Sequence, residues 1–121
     1  MCDWFASHFQ PDVVNFTNFL IGGCIPDLKQ RFGSKIVVTL QGDDIFLESL
    51  PEKYRLQCIA EMQRLDQDVD AYLVFSEYYR DFMVDYLKLP VGKFLHRAVR
   101  NRSGRLLGYS LASRCGPAFA L

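Results

Sequence analysis

Apolar residues along the chain alternate between short, nearly continuous runs and longer stretches with a helical period. Three β-branched or aromatic runs predict strands at residues 12–16, 36–40 and 71–75. Continuous rather than alternating apolar runs are typical of parallel strands that are buried on both faces. Each run is far enough from the next for a crossover helix to lie between them.

A helical pattern follows each predicted strand. Apolar residues recur every four positions over residues 20–32, where Thr17 or Asn18 can cap the helix and Gly33 can end it. Pro26 lies in the middle of this stretch, so it either kinks the helix or begins its second half.

The second helix is predicted from a cap as well as from periodicity. After a polar loop at residues 41–48, Ser49 and Glu52 match a capping box, with Pro51 in the tolerant first turn. The apolar face of this helix is predicted to contain Tyr54, Cys58, Met62 and Leu65.

The third helix completes a β-α-β-α-β-α order. Ser76 can cap it and Pro90 can end it, and its apolar face is predicted to contain Tyr79, Phe82, Met83, Tyr86 and Leu87. This order predicts an α/β fold with three layers (α/β/α), a short parallel sheet and a partial Rossmann-like domain at residues 1–92. Residues 93–121 fit no regular element apart from a short helix at 106–112, and we interpret them as an irregular basic tail.

A net charge of zero conceals a division of charge along the chain. Residues 1–85 carry 7 Lys and Arg and 14 Asp and Glu, whereas residues 86–121 carry 7 Lys and Arg and no acid. A basic end can bind nucleic acid, or it can be a stretch of different origin from the rest. Because aromatic residues are few there, we favour a disordered or non-native tail, for which a frameshift past Lys93 is one hypothesis, and expect no nucleic-acid partner.

Composition excludes several other classes of protein. The chain has 121 residues, half of them hydrophobic, which suits one domain with a sizeable core. Its four cysteines and two histidines show no zinc-binding spacing. No apolar run approaches the length of a membrane span and no signal peptide precedes the first strand, so we expect a cytoplasmic location.

The sequence also contains part of a calcium-loop pattern, but the pattern is incomplete. Asp66, Asp68 and Asp70 have the spacing of the first ligands of such a loop, and Glu77 falls at the last ligand position. However, Ala71 stands where the sharp turn needs glycine, and the third predicted strand runs through the same residues. We therefore expect neither a metal nor a cofactor.

The candidate site lies where the three predicted strands end. The carboxyl ends of parallel strands meet at one edge of the sheet, which is where open α/β sheets bind ligands. The residues expected there to contact a substrate are Asn18, Gln41, Gly42, Asp43, Asp44, Ser76 and Glu77.

Each of these residues has a chemical interpretation and a plainer one. Gly42 lets a ligand approach the backbone closely, Asp43 or Asp44 can accept hydrogen bonds from sugar hydroxyls or act as a base, and Ser76 begins a helix whose N–H groups suit an anion. The same residues also serve commonly as caps and turn formers. No catalytic nucleophile is recognisable in the sequence.

The neighbouring aromatic pair is open to two interpretations as well. Tyr78 and Tyr79, preceded by Phe75, can form a stacking platform for a ligand. Packing against the core is the commoner use of such rings, and we favour it.

Three segments in this order resemble a known family. Residues 11–18, 37–47 and 69–79 are similar to the N-terminal, acceptor-side domain of retaining GT-B glycosyltransferases of the group 1 (family 4) type. The resemblance covers roughly residues 10–95. It implies transfer of a sugar from a nucleotide-sugar donor to an acceptor, without an obligatory metal, in a cleft between two Rossmann-like domains.

The resemblance also implies roles for single residues. Many members carry a histidine after the strand that corresponds to residues 36–40, and Gln41 stands at that position here. Ser76 matches the serine that opens the last helix of this half.

Several family features are missing from the sequence. Members begin with a strand and a glycine-rich loop, which are not found before Pro11, and the segment after Lys93 lacks the Pro-x-Gly motif that leads to the donor-binding domain. Whether the chain is an enzyme is therefore open, and we expect it to be a truncated glycosyltransferase that is inactive alone. The alternative is a stand-alone α/β interaction module that pairs with a missing C-terminal domain or a separate subunit.

Overall fold

The computed structural model describes residues 2–96, which form a parallel sheet with helices between its strands. The strands are β1 (Val13–Phe16), β2 (Lys35–Thr39), β3 (Ala71–Val74) and β4 (Phe94–His96). The helices are α1 (Cys2–His8), α2 (Ile25–Phe32), α3 (Asp43–Ser49), α4 (Glu52–Leu65) and α5 (Glu77–Leu87). Short 3₁₀ turns cover Phe19–Cys24, Asp66–Asp68 and Val91–Lys93.

The sheet follows the order of the chain. Its strand order is β1-β2-β3-β4 and all three pairings are parallel. The three predicted strands and the α/β class are confirmed, and the strands differ from the prediction only in their end residues. Since all four strands point the same way, their carboxyl ends lie at one edge of the sheet.

The helices cover one face of the sheet in the described part of the chain. Ile36, Val38 and Tyr72 are fully buried on that face, where they join the core formed with the helices. On the opposite face Val13 is 51% exposed, and Val37 and Leu73 are only half-buried. Thr39 and the small Ala71 on this face are nevertheless buried. Among residues 2–96 we find helices on one face, and the second helical layer of the expected α/β/α arrangement is not found among them.

Strand order explains the single helical layer. In this sheet each new strand is added beside the previous one in the same direction. Right-handed crossovers then place every connecting helix on the same face of the sheet. Helices reach both faces only when the order of strands reverses, as in a doubly wound sheet. No reversal occurs among the strands of residues 2–96. The remaining helix, α1, packs against α2.

Local caps in the first crossover follow the prediction closely. The Asn18 side chain accepts a hydrogen bond from the N–H of Leu20 and so caps the 3₁₀ turn. Pro26 lies in the first turn of α2, so it begins the second half of this stretch. Gly33 ends α2 with φ 63°, in the left-handed region that favours glycine.

The second crossover differs from the prediction. The expected loop at residues 41–48 contains α3, and Ser49 belongs to the end of that helix, where its hydroxyl donates to the carbonyl of Phe46 at 2.6 Å. Ser49 therefore does not cap α4. The residue before a proline is held out of the helical region, and Leu50 before Pro51 is extended, so the chain breaks there.

The predicted apolar face of α4 is only partly correct. Met62 and Leu65 are buried and Cys58 is half-buried, but Tyr54 is 54% exposed near the start of the helix. Only the second half of α4 therefore packs its predicted apolar face against the core.

The last crossover leads into a strand that the sequence pattern does not predict. Ser76 caps α5 by accepting from the N–H of Tyr79, and Lys88 ends the helix before Pro90, as expected. The turn Val91–Lys93 and strand β4 (Phe94–His96) follow, so residues 93–96 form regular structure and only the residues after them remain of the predicted irregular tail. Residues 97–121, including the helix expected at 106–112, lie outside the described residues.

Candidate functional site

The carboxyl edge of the sheet brings together all of the predicted site residues. Asn18 follows β1, residues 41–44 follow β2, and Ser76 and Glu77 follow β3. Register pairs Phe16 with Val38 and Val38 with Tyr72, so the three loops leave the sheet side by side.

Asp43 anchors this edge. Its side chain is fully buried, and its carboxylate accepts one hydrogen bond from the N–H of Phe19 at 2.8 Å and another from the N–H of Gln41 at 3.2 Å. The two donors belong to different loops, so this one carboxylate joins the loop after β1 to the loop after β2. Asp43 is thereby occupied by the protein itself and has no exposed oxygen for a ligand.

The first two loops are joined a second time by Gln41. Its side-chain Nε2 donates to the carbonyl oxygen of Thr17 at 3.3 Å, and the side chain is otherwise exposed.

Tyr79 links α5 to the loop after β2. Its hydroxyl donates to Asp44 at 2.6 Å and accepts from the N–H of Gly42 at 3.0 Å. Burial, followed by the hydrogen bond to Asp44, raises the pKa of Tyr79 above its ordinary value, so the hydroxyl stays protonated as a donor. Gly42 has φ 84°, a conformation that suits glycine, and this turn aims its N–H at the phenol.

The interpretation as caps, turn formers or structural acceptors therefore applies to four of the seven predicted residues. Asn18 and Ser76 are caps, Asp43 is a buried acceptor for two backbone groups, and Gly42 forms the turn before α3. For the aromatic pair, Tyr79 is half-buried in the packing, whereas Tyr78 is 82% exposed and has no packing role.

His96 is a polar residue at this edge that the sequence reading missed. It ends β4, pairs in register with Val74, and has its Nε2 within 3.2 Å of the carbonyl oxygen of Phe75. The imidazole is therefore next to the loop that carries Ser76 and Glu77. The only sequence signal for β4 is the apolar pair Phe94 and Leu95, which is too short to be recognised as a strand.

Four polar side chains meet at this edge of the sheet. Gln41 lies in the loop after β2 and Asp44 in the first turn of α3. Glu77 begins α5 and His96 ends β4. An amide, two carboxylates and an imidazole can together donate to and accept from several hydroxyl groups. Among residues 2–96 no group of acidic, histidine and cysteine side chains is arranged to hold a metal ion.

Several ion pairs lie at the opposite edge of the sheet, where the strands begin. Asp70 pairs with Lys29 and with Lys35 at 3.5 Å, and it accepts from the N–H of Ile36 at 2.8 Å. Partial burial alone raises the pKa of Asp70, but the hydrogen bonds from Lys29 and Ile36 and the charges of both lysines outweigh it, so the pKa is lowered.

Asp66 is similarly engaged at this edge. It pairs with Lys93 at 3.1 Å and accepts from the hydroxyl of Tyr72 at 2.8 Å. Asp66 and Asp70, two of the three aspartates with the spacing of a calcium loop, thus hold strand and helix ends together.

A shallow groove lies apart from both edges. It has a volume of about 290 Å³ and runs between the turn Phe19–Cys24 and α4. Its lining is mainly apolar and consists of Leu20, Gly23, Tyr54, Gln57, Cys58, Glu61, Met62 and Leu65.

Comparison with known proteins adds no family to this description. No family model matches the chain, and neither a curated protein nor a solved structure is significantly similar to it. Within residues 2–96, none of the helices combines the length and the hydropathy that crossing a membrane requires.

Proposed function

We propose that residues 2–96 are the acceptor-side half of a GT-B type glycosyltransferase and bind the sugar acceptor at the carboxyl edge of the sheet. The observation that supports this best is the convergence there of Gln41, Asp44, Glu77 and His96 on a parallel sheet. Ligands of open α/β sheets bind at this edge, and side chains of this kind match the hydroxyl groups of a sugar.

The proposal divides the edge residues into two groups. Gln41 and Glu77 contact the acceptor hydroxyls, Asp44 contributes its second carboxylate oxygen, and His96 lies beside them at the end of β4. Asn18, Gly42, Asp43 and Ser76 hold the loops in place. The nucleotide-sugar binds in the facing domain of the full-length family, so residues 2–96 alone bind acceptor without transferring sugar.

We assign this function to the cytoplasm, as expected from the sequence. Cys24 and Cys58 are half-buried and form no disulfide within residues 2–96.

Binding is tested by titrating the isotope-labelled chain with a panel of mono- and disaccharides while recording backbone amide resonances. We expect at least one sugar to shift the amides of residues 17–18, 41–44 and 76–77 together. Gln41→Ala combined with Glu77→Gln should weaken that binding at least about 5-fold, because about two hydrogen bonds are lost. Glu61→Gln on α4 is the matched control and should leave it unchanged.

Catalysis is tested separately with nucleotide-diphosphate sugars. Neither sugar transfer nor donor hydrolysis is expected from this chain alone. Turnover by the isolated chain would overturn the assignment of a half-site, and a panel in which no sugar shifts the edge amides would overturn acceptor binding.

A second candidate function is an interaction module that pairs with a separate subunit. The open sheet face favours it, because Val13, Val37, Leu73 and Leu95 leave apolar area uncovered by any helix of residues 2–96. Co-expression with the products of adjacent reading frames tests this candidate. A stable complex that protects Val37 and Leu73 from solvent supports it, and a monomer that pairs with none of them contradicts it.

A further inference from the structure

Tyr79 is half-buried and bonds to two loops of the candidate site. Its hydroxyl donates to Asp44 Oδ1 at 2.6 Å and accepts from the N–H of Gly42 at 3.0 Å. Its backbone N–H donates to the hydroxyl of Ser76 at 3.1 Å. This one residue of α5 therefore joins the loop after β2 to the loop after β3, as Asp43 joins the loops after β1 and β2.

The ring of Tyr79 is held by packing. It stacks on Phe82 with ring centroids 6.3 Å apart, and Phe82 stacks in turn on Tyr86 at 5.5 Å. Tyr79 also packs against the hydrophobic core, which includes the fully buried Met83 and Leu87 of the same helix. A phenol that is fixed in this way presents its hydroxyl at a defined place, so little ordering is needed when a ligand binds beside it.

The direction of the Asp44 carboxylate depends on this hydroxyl. A separation of 2.6 Å is typical of a hydroxyl that donates to an ionised carboxylate, one of the stronger kinds of hydrogen bond in proteins. Burial, followed by the bond to Asp44, raises the pKa of Tyr79, so the phenol keeps the proton that it donates. With Oδ1 engaged by Tyr79, Oδ2 is the Asp44 oxygen that the proposed function assigns to the acceptor.

We propose that Tyr79 is a positioning residue of the acceptor site. Tyr79 does not contact the acceptor; it holds the Asp44 carboxylate so that Oδ2 is directed at an acceptor hydroxyl. Binding side chains must be kept within about 0.5 Å of their productive geometry by the residues behind them, and the Tyr79 hydroxyl does this for Asp44. This inference rests on the proposed function and adds to it a residue for which the sequence pattern predicted only packing.

Tyr86 provides a matched control on the same helix. Its hydroxyl donates to Glu48 at 2.7 Å, so it too joins α5 to a carboxylate of α3. Glu48 lies one turn after Asp44, near the end of α3, and is not assigned to the acceptor. Tyr79→Phe and Tyr86→Phe each remove one hydroxyl that bonds a carboxylate of α3, but only Tyr79→Phe removes one that bonds a residue of the site.

The contact is tested first in the full chain without sugar, by hydrogen exchange of single backbone amides. Tyr79→Phe should speed exchange of the Gly42 amide at least about 5-fold, because that N–H loses its acceptor. Tyr86→Phe should leave exchange of this amide unchanged. A Gly42 amide that exchanges at the same rate in Tyr79→Phe and in the unchanged chain would overturn the inference whatever the sugars do.

Sugar affinity is then measured with the mono- or disaccharide that shifts the edge amides. Tyr79→Phe should raise its Kd at least about 5-fold, because Asp44 is no longer held in place, and Tyr86→Phe should leave the Kd unchanged. In an Asp44→Ala chain, Tyr79→Phe should change the Kd less than about 2-fold, since the two residues act through one interaction. A merely structural role of Tyr79 would weaken binding equally with and without Asp44.

The outcomes separate this inference from the proposed function. A chain that binds no sugar overturns the acceptor site itself, and with it any role of Tyr79 in positioning an acceptor residue. If sugar binds, the positioning role alone is overturned by an unchanged Kd in Tyr79→Phe, by an equal loss in Tyr86→Phe, or by a loss that persists in the Asp44→Ala chain. Circular dichroism of each variant verifies that the helices are intact.

Discussion

A single buried carboxylate, that of Asp43, determines the geometry of the carboxyl edge. Replacing it with alanine leaves the N–H groups of Phe19 and Gln41 buried or half-buried without their acceptor. We expect Asp43→Ala to lower the free energy of unfolding by about 3 kcal/mol, because each unsatisfied donor costs about 1–3 kcal/mol. Urea denaturation followed by circular dichroism measures the change.

Two variants serve as references for Asp43. Asp43→Asn retains one acceptor oxygen and should lose less stability than Asp43→Ala. Asp81→Ala removes an exposed carboxylate and should change the free energy of unfolding by less than about 0.5 kcal/mol. Equal stability of Asp43→Ala and Asp81→Ala would show that the two backbone bonds do not hold the loops.

Stability at low pH depends on Asp70. Its pKa is lowered in the folded chain from the ordinary 3.8, so its contribution to stability is present above pH 3.8 and is lost as pH falls towards the folded pKa. We expect Asp70→Asn to be less stable at pH 7 and to lose less further stability between about pH 5 and pH 2. Thermal unfolding at a series of pH values measures both effects.

The exposed Asp12 is the control for Asp70. Asp12→Asn should give the same pH profile as the unchanged chain, because its side chain is exposed. Parallel pH profiles for Asp70→Asn and the unchanged chain would contradict the role of the ion pairs.

Two adjacent glycines in the turn after β1 differ in how much space surrounds their Cα atoms. A Cβ on Gly22 would lie 3.0 Å from Ile25 Cδ1 and 3.2 Å from Phe19 Cδ2, whereas a Cβ on Gly23 would meet nothing within 4 Å. Gly22→Ala should therefore cost about 1–3 kcal/mol of unfolding free energy, and Gly23→Ala should change it by less than about 0.5 kcal/mol. Chemical denaturation of both variants tests the difference, and a cost for Gly23→Ala as large as that for Gly22→Ala would contradict the packing described.

Helix ends were predictable where the cap is local. Asn18, Gly33 and Ser76 were identified from the residue types that suit these positions, and each acts over a few residues of its own chain segment. Ser49 was assigned by the same rule and was wrong, because α3 continues up to it and Pro51 fixes the break. Helix α3 itself was missed, since its seven residues include only three large apolar ones and two of these, Ile45 and Phe46, are exposed.

The two faces of the whole sheet can be distinguished by one pair of neighbouring residues. Val38 is fully buried beneath the helices, and Val37 is half-buried on the open face. Threonine has nearly the shape of valine, so Val38→Thr should cost about 1–3 kcal/mol for burying a hydroxyl, and Val37→Thr should cost less than about 0.5 kcal/mol. Equilibrium unfolding in urea compares the two variants, and an equal cost would show that the open face is covered in the full chain.

The candidate site was predictable in position but not in detail. Gln41, Asp44 and Glu77 were expected at the carboxyl edge because parallel strands place their ends together. The burial of Asp43 was not foreseeable, since its acceptor role depends on an N–H from residue 19, which approaches only when β1 and β2 pair. His96 could not be assigned to the site until β4 was known.

Periodicity and caps in the sequence were sufficient to determine the α/β class, three strands, the ends of two crossovers and the edge at which the candidate site lies. These properties depend on residues that are close along the chain, or on the parallel direction that every crossover imposes. The single helical layer, the burial of Asp43 and the place of His96 depend on which strands become neighbours. Strand order is a long-range property, and the Lys35–Thr39 strand has the same apolar residues whether helices cover one of its faces or both.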